Sequence, residues 1–140
     1  MTQSTLPVLS TLIFFPLSTS LALLAVKNEE LIRKLTLLAG VLELILALPL
    51  FGFDLSSGGF QYVELVPWVP QWGLNFHLGV DGISLLMVIL TVALLPLCVL
   101  CSWNYISKRI KEFHIVLLLM TSACVGVFVA LDFVLFYVFW

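Results

Sequence analysis

The sequence predicts an all-α integral membrane fold with four transmembrane helices plus the truncated start of a fifth. Three observations carry that expectation. The residues are 62% hydrophobic and 10% charged, with a mean hydropathy of +1.20, far from the averages of soluble domains. Four apolar stretches, at 5–26, 35–53, 82–103 and 113–131, hold 19 to 22 residues each. The six Lys and Arg residues all fall in the two short connections that follow the first and third stretches. Residues 1–140 therefore read as a single membrane region, closed by a partial apolar run at 133–140.

At about 1.5 Å of rise per residue, helices of this length span about 30 Å, the thickness of the hydrocarbon core. The first segment follows a flank without positive charge, Met1 to Ser4, and precedes no small-residue cleavage pattern. It reads as a retained helix and not as a secretory signal. Lys27, Arg33 and Lys34 separate it from the second segment, while Lys108, Arg109 and Lys111 separate the third from the fourth. If segments two and three each cross once, both basic loops share a side. The positive-inside rule puts that side in the cytoplasm, matrix or stroma, with the N-terminus and the 54–81 connection on the outer face.

That connection, "DLSSGGFQYVELVPWVPQWGLNFHLGVD", contains no Lys or Arg. Trp68 and Trp72 fit a segment at headgroup level or an ordinary ordered loop equally well, and Trp103 and Tyr105 look like the matching anchor at the other interface. Pro96 predicts a kink in the third segment; Pro7, Pro16 and Pro49 predict further helix irregularities, whose freed carbonyls neighbouring helices must satisfy. Between 113 and 140 only Asp132 interrupts the apolar run. One helix and a hairpin both fit, but a single helix would run about 42 Å, longer than the core, which favours a break near Asp132.

Glu43 lies in "LLAGVLELILALPL", close to the middle of the second segment, where an ionised side chain costs at least about 2.5 to 3.5 kcal/mol. It reads as a candidate proton-relay carboxylate facing a hydrated interior, or as a neutral acid bonded to a neighbouring helix or a partner subunit. Asp81, in "GVDGIS", and Asp132 read as helix-capping residues, whose carboxylates accept from first-turn N–H groups. Cys98 and Cys101 form a C-x-x-C inside an apolar helix, and Cys124 is equally embedded; all three read as small hydrophobes. His77 and His114 fall near opposite interfaces and form no ligand cluster. The chain has no glycine-rich phosphate loop, nucleophile elbow or metalloprotease pair, so no cofactor and no metal is expected to bind it. A net charge of -2, with its basic residues split between two loops, points away from nucleic acid.

The run "LGVDGISLLMVILTVALLPLCVLCSWNYISKRIKEFHIVLLLMTSACVGVFVALDFVLFYVFW", from Leu78 to Trp140, resembles the N-terminal part of subunit M, the mitochondrial ND subunit 4 type, of the proton-pumping NADH:quinone oxidoreductase. "GVDGISL" opening a helix, "SW" ending it, the basic loop and "LDFVLFYVFW" carry the resemblance. "PWVPQWG" adds a looser match in residues 1–77. The resemblance implies an N-terminal fragment of an antiporter-like membrane-arm subunit of complex I, inactive on its own, with the position after Trp140 a glutamate. It implies a proton path through buried Glu and Lys residues on later helices, none of them in this chain, and Glu43 matches no signature of that family. NADH, FMN, iron-sulfur clusters and quinone are implied for other subunits. The implied partners are the other membrane-arm subunits and the lipid bilayer. The implied location is an energy-transducing membrane, the bacterial inner membrane ahead of the mitochondrial one. The rival readings are a homologous subunit of a cation/proton antiporter or membrane-bound hydrogenase, and a small four-helix membrane protein that transports nothing.

Overall fold

The structure, a computed structural model, describes residues 7–54, 59–69, 71 and 73–140. In chain order these form α1 (Val8–Ala25), α2 (Glu29–Leu46), a 3-10 turn (Leu48–Gly52), β1 (Gln61–Val69), β2 (Leu74–Val80), α3 (Gly82–Ser102), α4 (Ile110–Val129) and α5 (Phe133–Phe139). Helices α1, α3 and α4, and α2 together with its 3-10 extension, are long and apolar enough to cross a membrane. The all-α membrane fold is therefore present, with one addition: a two-stranded hairpin in the 54–81 connection.

Residues 5 and 6, at the start of the first segment, and Trp72, one of the two interfacial tryptophans, lie outside the described residues. Helix α1 follows directly on Pro7, which is its N-cap and not a helix irregularity. Helix α2 begins at Glu29, six residues ahead of the expected Leu35. The Asn28 side chain accepts from Glu30 N–H at 3.0 Å and Leu31 N–H at 3.3 Å, and Glu29 and Glu30 suit the positive end of the dipole. The hydrophobic onset marks where the chain enters the membrane, whereas the cap marks where the helix starts. The α-helix ends at Leu46, and the rest of the expected 35–53 helix is the 3-10 turn, with Pro49 where a missing N–H costs nothing. Pro16 and Pro96 do lie inside α1 and α3. Helix α4 starts at Ile110, ahead of the expected 113, after Arg109 turns the backbone into the left-handed region at φ 54.

Each long helix turns one stripe inward. In α1 it is Val8, Leu9, Leu12, Ile13, Pro16, Ser20 and Leu23, at the three- and four-residue spacing of a helix face. Helices α1, α2, α3 and α4 pack in a ring, α1 most extensively on α4 and α2 on α3. The interior divides into two apolar clusters. One, at the hairpin end, joins Leu12, Ile13, Ala47, Leu78, Val80, Val88, Val92 and Val125. The other, toward the basic loops, joins Leu23, Ile32, Ala39, Leu95, Val99 and Leu118.

The stretch 113–140 is broken and not one helix. Ala130 is extended, Leu131 N–H donates to His77 O at 2.9 Å, and Leu78 bridges Ala130, so β2 clamps the junction between α4 and α5. Helix α5 folds back on α4 until the Phe139 ring covers Gly126, leaving no room for a Cβ there. The hairpin itself tolerates Pro67 because each strand of a two-stranded sheet has an unpaired edge, and it bulges beside Tyr62, at φ 53.

Candidate functional site

The inward stripe of α2 is Ile32, Thr36, Ala39, Gly40 and Glu43. Glu43 is thereby turned into the bundle, 0% exposed, and neither carboxyl oxygen has a hydrogen-bond partner among the described residues. One turn before it, Gly40 lets α3 approach so closely that a Cβ there would lie 3.2 Å from Pro96 Cδ. Glu43 thus sits at the α2–α3 crossing, toward the hairpin end of α2.

His114 is the other buried ionisable group among the helices, 1% exposed. Its Nδ1 lies 2.8 Å from Ile110 O; a carbonyl only accepts, so Nδ1 carries the proton, and Nε2 has no partner among the described residues. It belongs to the bundle interior and not to the interface surface. Glu43 is fourteen residues into α2 and His114 four residues into α4, both counted from the basic-loop end, which puts them about 15 Å apart along the bundle. Leu118, Ala39 and Leu95 belong to the apolar cluster at the depths between them. The structure does not bring the two into one constellation.

The carboxylates read as caps have cap geometry. Asp81 accepts from Ile83 N–H at 3.1 Å and Ser84 N–H at 2.7 Å, while its own N–H donates to Ser84 Oγ at 2.9 Å. The Ser84 N–H and hydroxyl beside it hold the Asp81 carboxyl below its ordinary pKa of 3.8. Asp132 accepts from Val134 N–H at 2.9 Å and Leu135 N–H at 3.2 Å, opening α5.

A third carboxylate cap is not legible in the sequence. Glu64, on β1, accepts from Leu9 N–H at 2.8 Å, Ser10 N–H at 3.1 Å and the Ser10 hydroxyl, satisfying the first turn of α1, which Pro7 cannot cap. At the other end of α1, Lys111 Nζ donates to Leu24 O at 2.6 Å and Val26 O at 3.0 Å, and Arg33 Nη2 donates to Ile106 O at 2.8 Å. The basic loops therefore also close helix ends. Cys98 and Cys101 are exposed on α3, Cys124 is half-buried, and no group of three or more His, Cys, Asp or Glu residues gathers among the described residues.

A ring of four helices able to cross a membrane, its termini tied by charges from distant segments and the Glu43 carboxyl and His114 imidazole buried among its described residues, defines a polytopic helical membrane protein. Comparison with known proteins gives the particular kind. The chain is 42% identical over 134 residues to NADH-ubiquinone oxidoreductase chain 4 of Arabidopsis thaliana, a match covering 94% of this chain and 27% of that protein. It is 39% identical over 140 residues to NADH-quinone oxidoreductase subunit M of Rickettsia prowazekii, covering 96% of this chain and 28% of the relative. It is also 36% identical over 136 residues to F(420)H(2) dehydrogenase subunit M of Methanosarcina mazei, again covering 96% and 28%. No protein-family model matches the chain. The chain is a homologue of subunit M and chain 4 of the NADH-quinone oxidoreductases, matched along nearly its whole length while spanning little more than a quarter of theirs. The resemblance read from residues 78–140 is borne out and extends into the less diagnostic first half.

Proposed function

We propose that the chain is part of a proton-translocating membrane-arm subunit of an NADH:quinone oxidoreductase, in which quinone reduction elsewhere in the complex drives protons across the membrane. The observation that carries this reading is the 36 to 42% identity to subunit M and chain 4 proteins over at least 94% of the chain. In this reading the four helices are a scaffold beside proton-carrying helices, the other membrane-arm subunits and the bilayer are its surroundings, and NADH, FMN, iron-sulfur clusters and quinone bind other subunits. The basic loops face the cytoplasm or matrix and the hairpin the opposite side, since Lys27, Arg33, Lys34, Lys108, Arg109 and Lys111 all flank one end of the bundle. The relative named for F(420)H(2) dehydrogenase supports a second reading, in which the same membrane part serves a complex with another electron donor.

Affinity purification of the tagged chain from its native membrane tests these readings. The expected result is co-purification with a complex that oxidises NADH with a quinone and acidifies one side of sealed vesicles. Oxidation of reduced F420 instead would establish the second reading. Isolation as a lone small membrane protein would refute both.

A further inference from the structure

We propose that Glu43 and the backbone carbonyl of Val92 bind one proton between them and use it to fasten α2 to α3 inside the membrane. The register follows from the tight contact between Gly40 and Pro96. The helices run antiparallel, with Arg33 of α2 reaching Ile106 just beyond α3 at one end. Moving toward the hairpin end, three residues along α2 lead from Gly40 to Glu43, and four residues along α3 lead from Pro96 back to Val92. Both are buried, Glu43 at 0% and Val92 at 1% exposure.

Two orphan groups meet at this level. Pro96 has no N–H to give the carbonyl of Val92, its partner four residues earlier, so that acceptor loses its regular helical donor and is open to one from a neighbouring helix. Glu43 needs a donor for an ionised carboxylate and finds none among the described residues. One proton on Glu43 resolves both needs, because a carboxylic acid donates and the carbonyl accepts. Among the described residues of the neighbouring helices, no other titratable group competes for the role. Helix α1 has no titratable side chain between Val8 and Ala25, and the two on α3, Cys98 and Cys101, are exposed. On α4, Lys111 is held by Leu24 O and Val26 O, Glu112 pairs with Arg109, His114 lies one apolar cluster away, and Cys124 is half-buried. Apolar clusters lie on either side of Glu43, surroundings that suit a fastening residue better than a relay.

Infrared spectroscopy of the full-length subunit in its complex tests the bond. A carboxylic-acid C=O band should persist from mildly acidic to mildly alkaline pH and vanish in Glu43→Gln. Pro96→Ala returns an N–H to the Val92 carbonyl, so the Glu43 band should then move to higher wavenumber as its hydrogen bond weakens. If Pro96→Ala does not assemble, an isotope-labelled Val92 carbonyl compared between wild type and Glu43→Met reads the same bond, and its band should shift. Absence of a Glu43 acid band, or no shift in these comparisons, overturns the pair. Glu43→Gln keeps a donor, so it should assemble with protons pumped per electron unchanged; loss of pumping in an assembled Gln variant would make Glu43 a relay and overturn the fastening role. The fastening role in a pump rests on the proposed function, but the infrared bands do not, so failure of the pair and failure of the functional reading give different results.

Discussion

At the scale of single residues, the helix ends show which interactions a sequence can reveal. Asp81 and Ser84 are three residues apart, and their reciprocal bonds follow from spacing alone. Asp81→Ala should lower the stability of the protein in detergent by about 0.5 to 1 kcal/mol, the lower part of the range for caps because the site is partly open to solvent. Since the folded-state pKa lies below the ordinary 3.8, the capping contribution is complete above 3.8 and is lost as pH falls through the lower folded value. Thermal unfolding of wild type and Asp81→Ala should therefore differ at neutral pH and converge only in strong acid. Glu64 is a different case, 55 residues from Leu9 in the chain. Nothing local marks it as a cap; the only hint is that α1 begins after a proline with no capping side chain. Glu64→Ala leaves the Leu9 and Ser10 N–H groups unpaired, so it should cost about 1 to 3 kcal/mol and speed hydrogen exchange at those two amides. Unchanged exchange there would contradict the cap.

At the scale of elements, apolar length located every crossing helix, but not its ends. The bilayer requires about twenty apolar residues, and that requirement is written in composition. Helix ends depend instead on local bonds, as Asn28 shows by starting α2 among charged residues. The hairpin is not legible in the sequence because β1, "QYVELVPWV", lacks a clean alternation, and its Pro67 argues against a strand that only an edge position permits. Length favours a break between α4 and α5, and its place is fixed by β2 holding Leu131 and by Phe139 lying over Gly126. Gly126→Ala puts a methyl group into that ring, so it should cost about 1 to 3 kcal/mol and raise the reactivity of a thiol probe placed on the buried face of α5, as in Leu135→Cys. An unaltered probe would mean that α5 does not rest on α4.

At the scale of the whole molecule, two expectations concern the membrane. In a variant whose Cys98, Cys101 and Cys124 are replaced by Ala, Gly59→Cys should react with an impermeant thiol reagent from the outer face and Lys108→Cys only from the cytoplasmic or matrix face. The reverse pattern would invert the orientation. Labelling of both from one face would mean that α2 or α3 does not span. The purified 140-residue chain should oxidise no NADH, because in the proposed function NADH, FMN and the iron-sulfur clusters bind other subunits.

The sequence by itself determined the class, the number of crossings and the relationship to subunit M, because solvation by lipid selects composition over long stretches and a homologous motif is a linear pattern. Glu43 could be picked out as unusual by the same rule, but its surroundings could not. Only the tertiary structure decided that Gly40 and Pro96 bring α2 against α3, that Glu43 is sealed between two apolar clusters, and that Glu64 and Lys111 close the two ends of α1. Those are contacts between residues dozens of positions apart, set by how close two backbones can approach, and no local spacing encodes them.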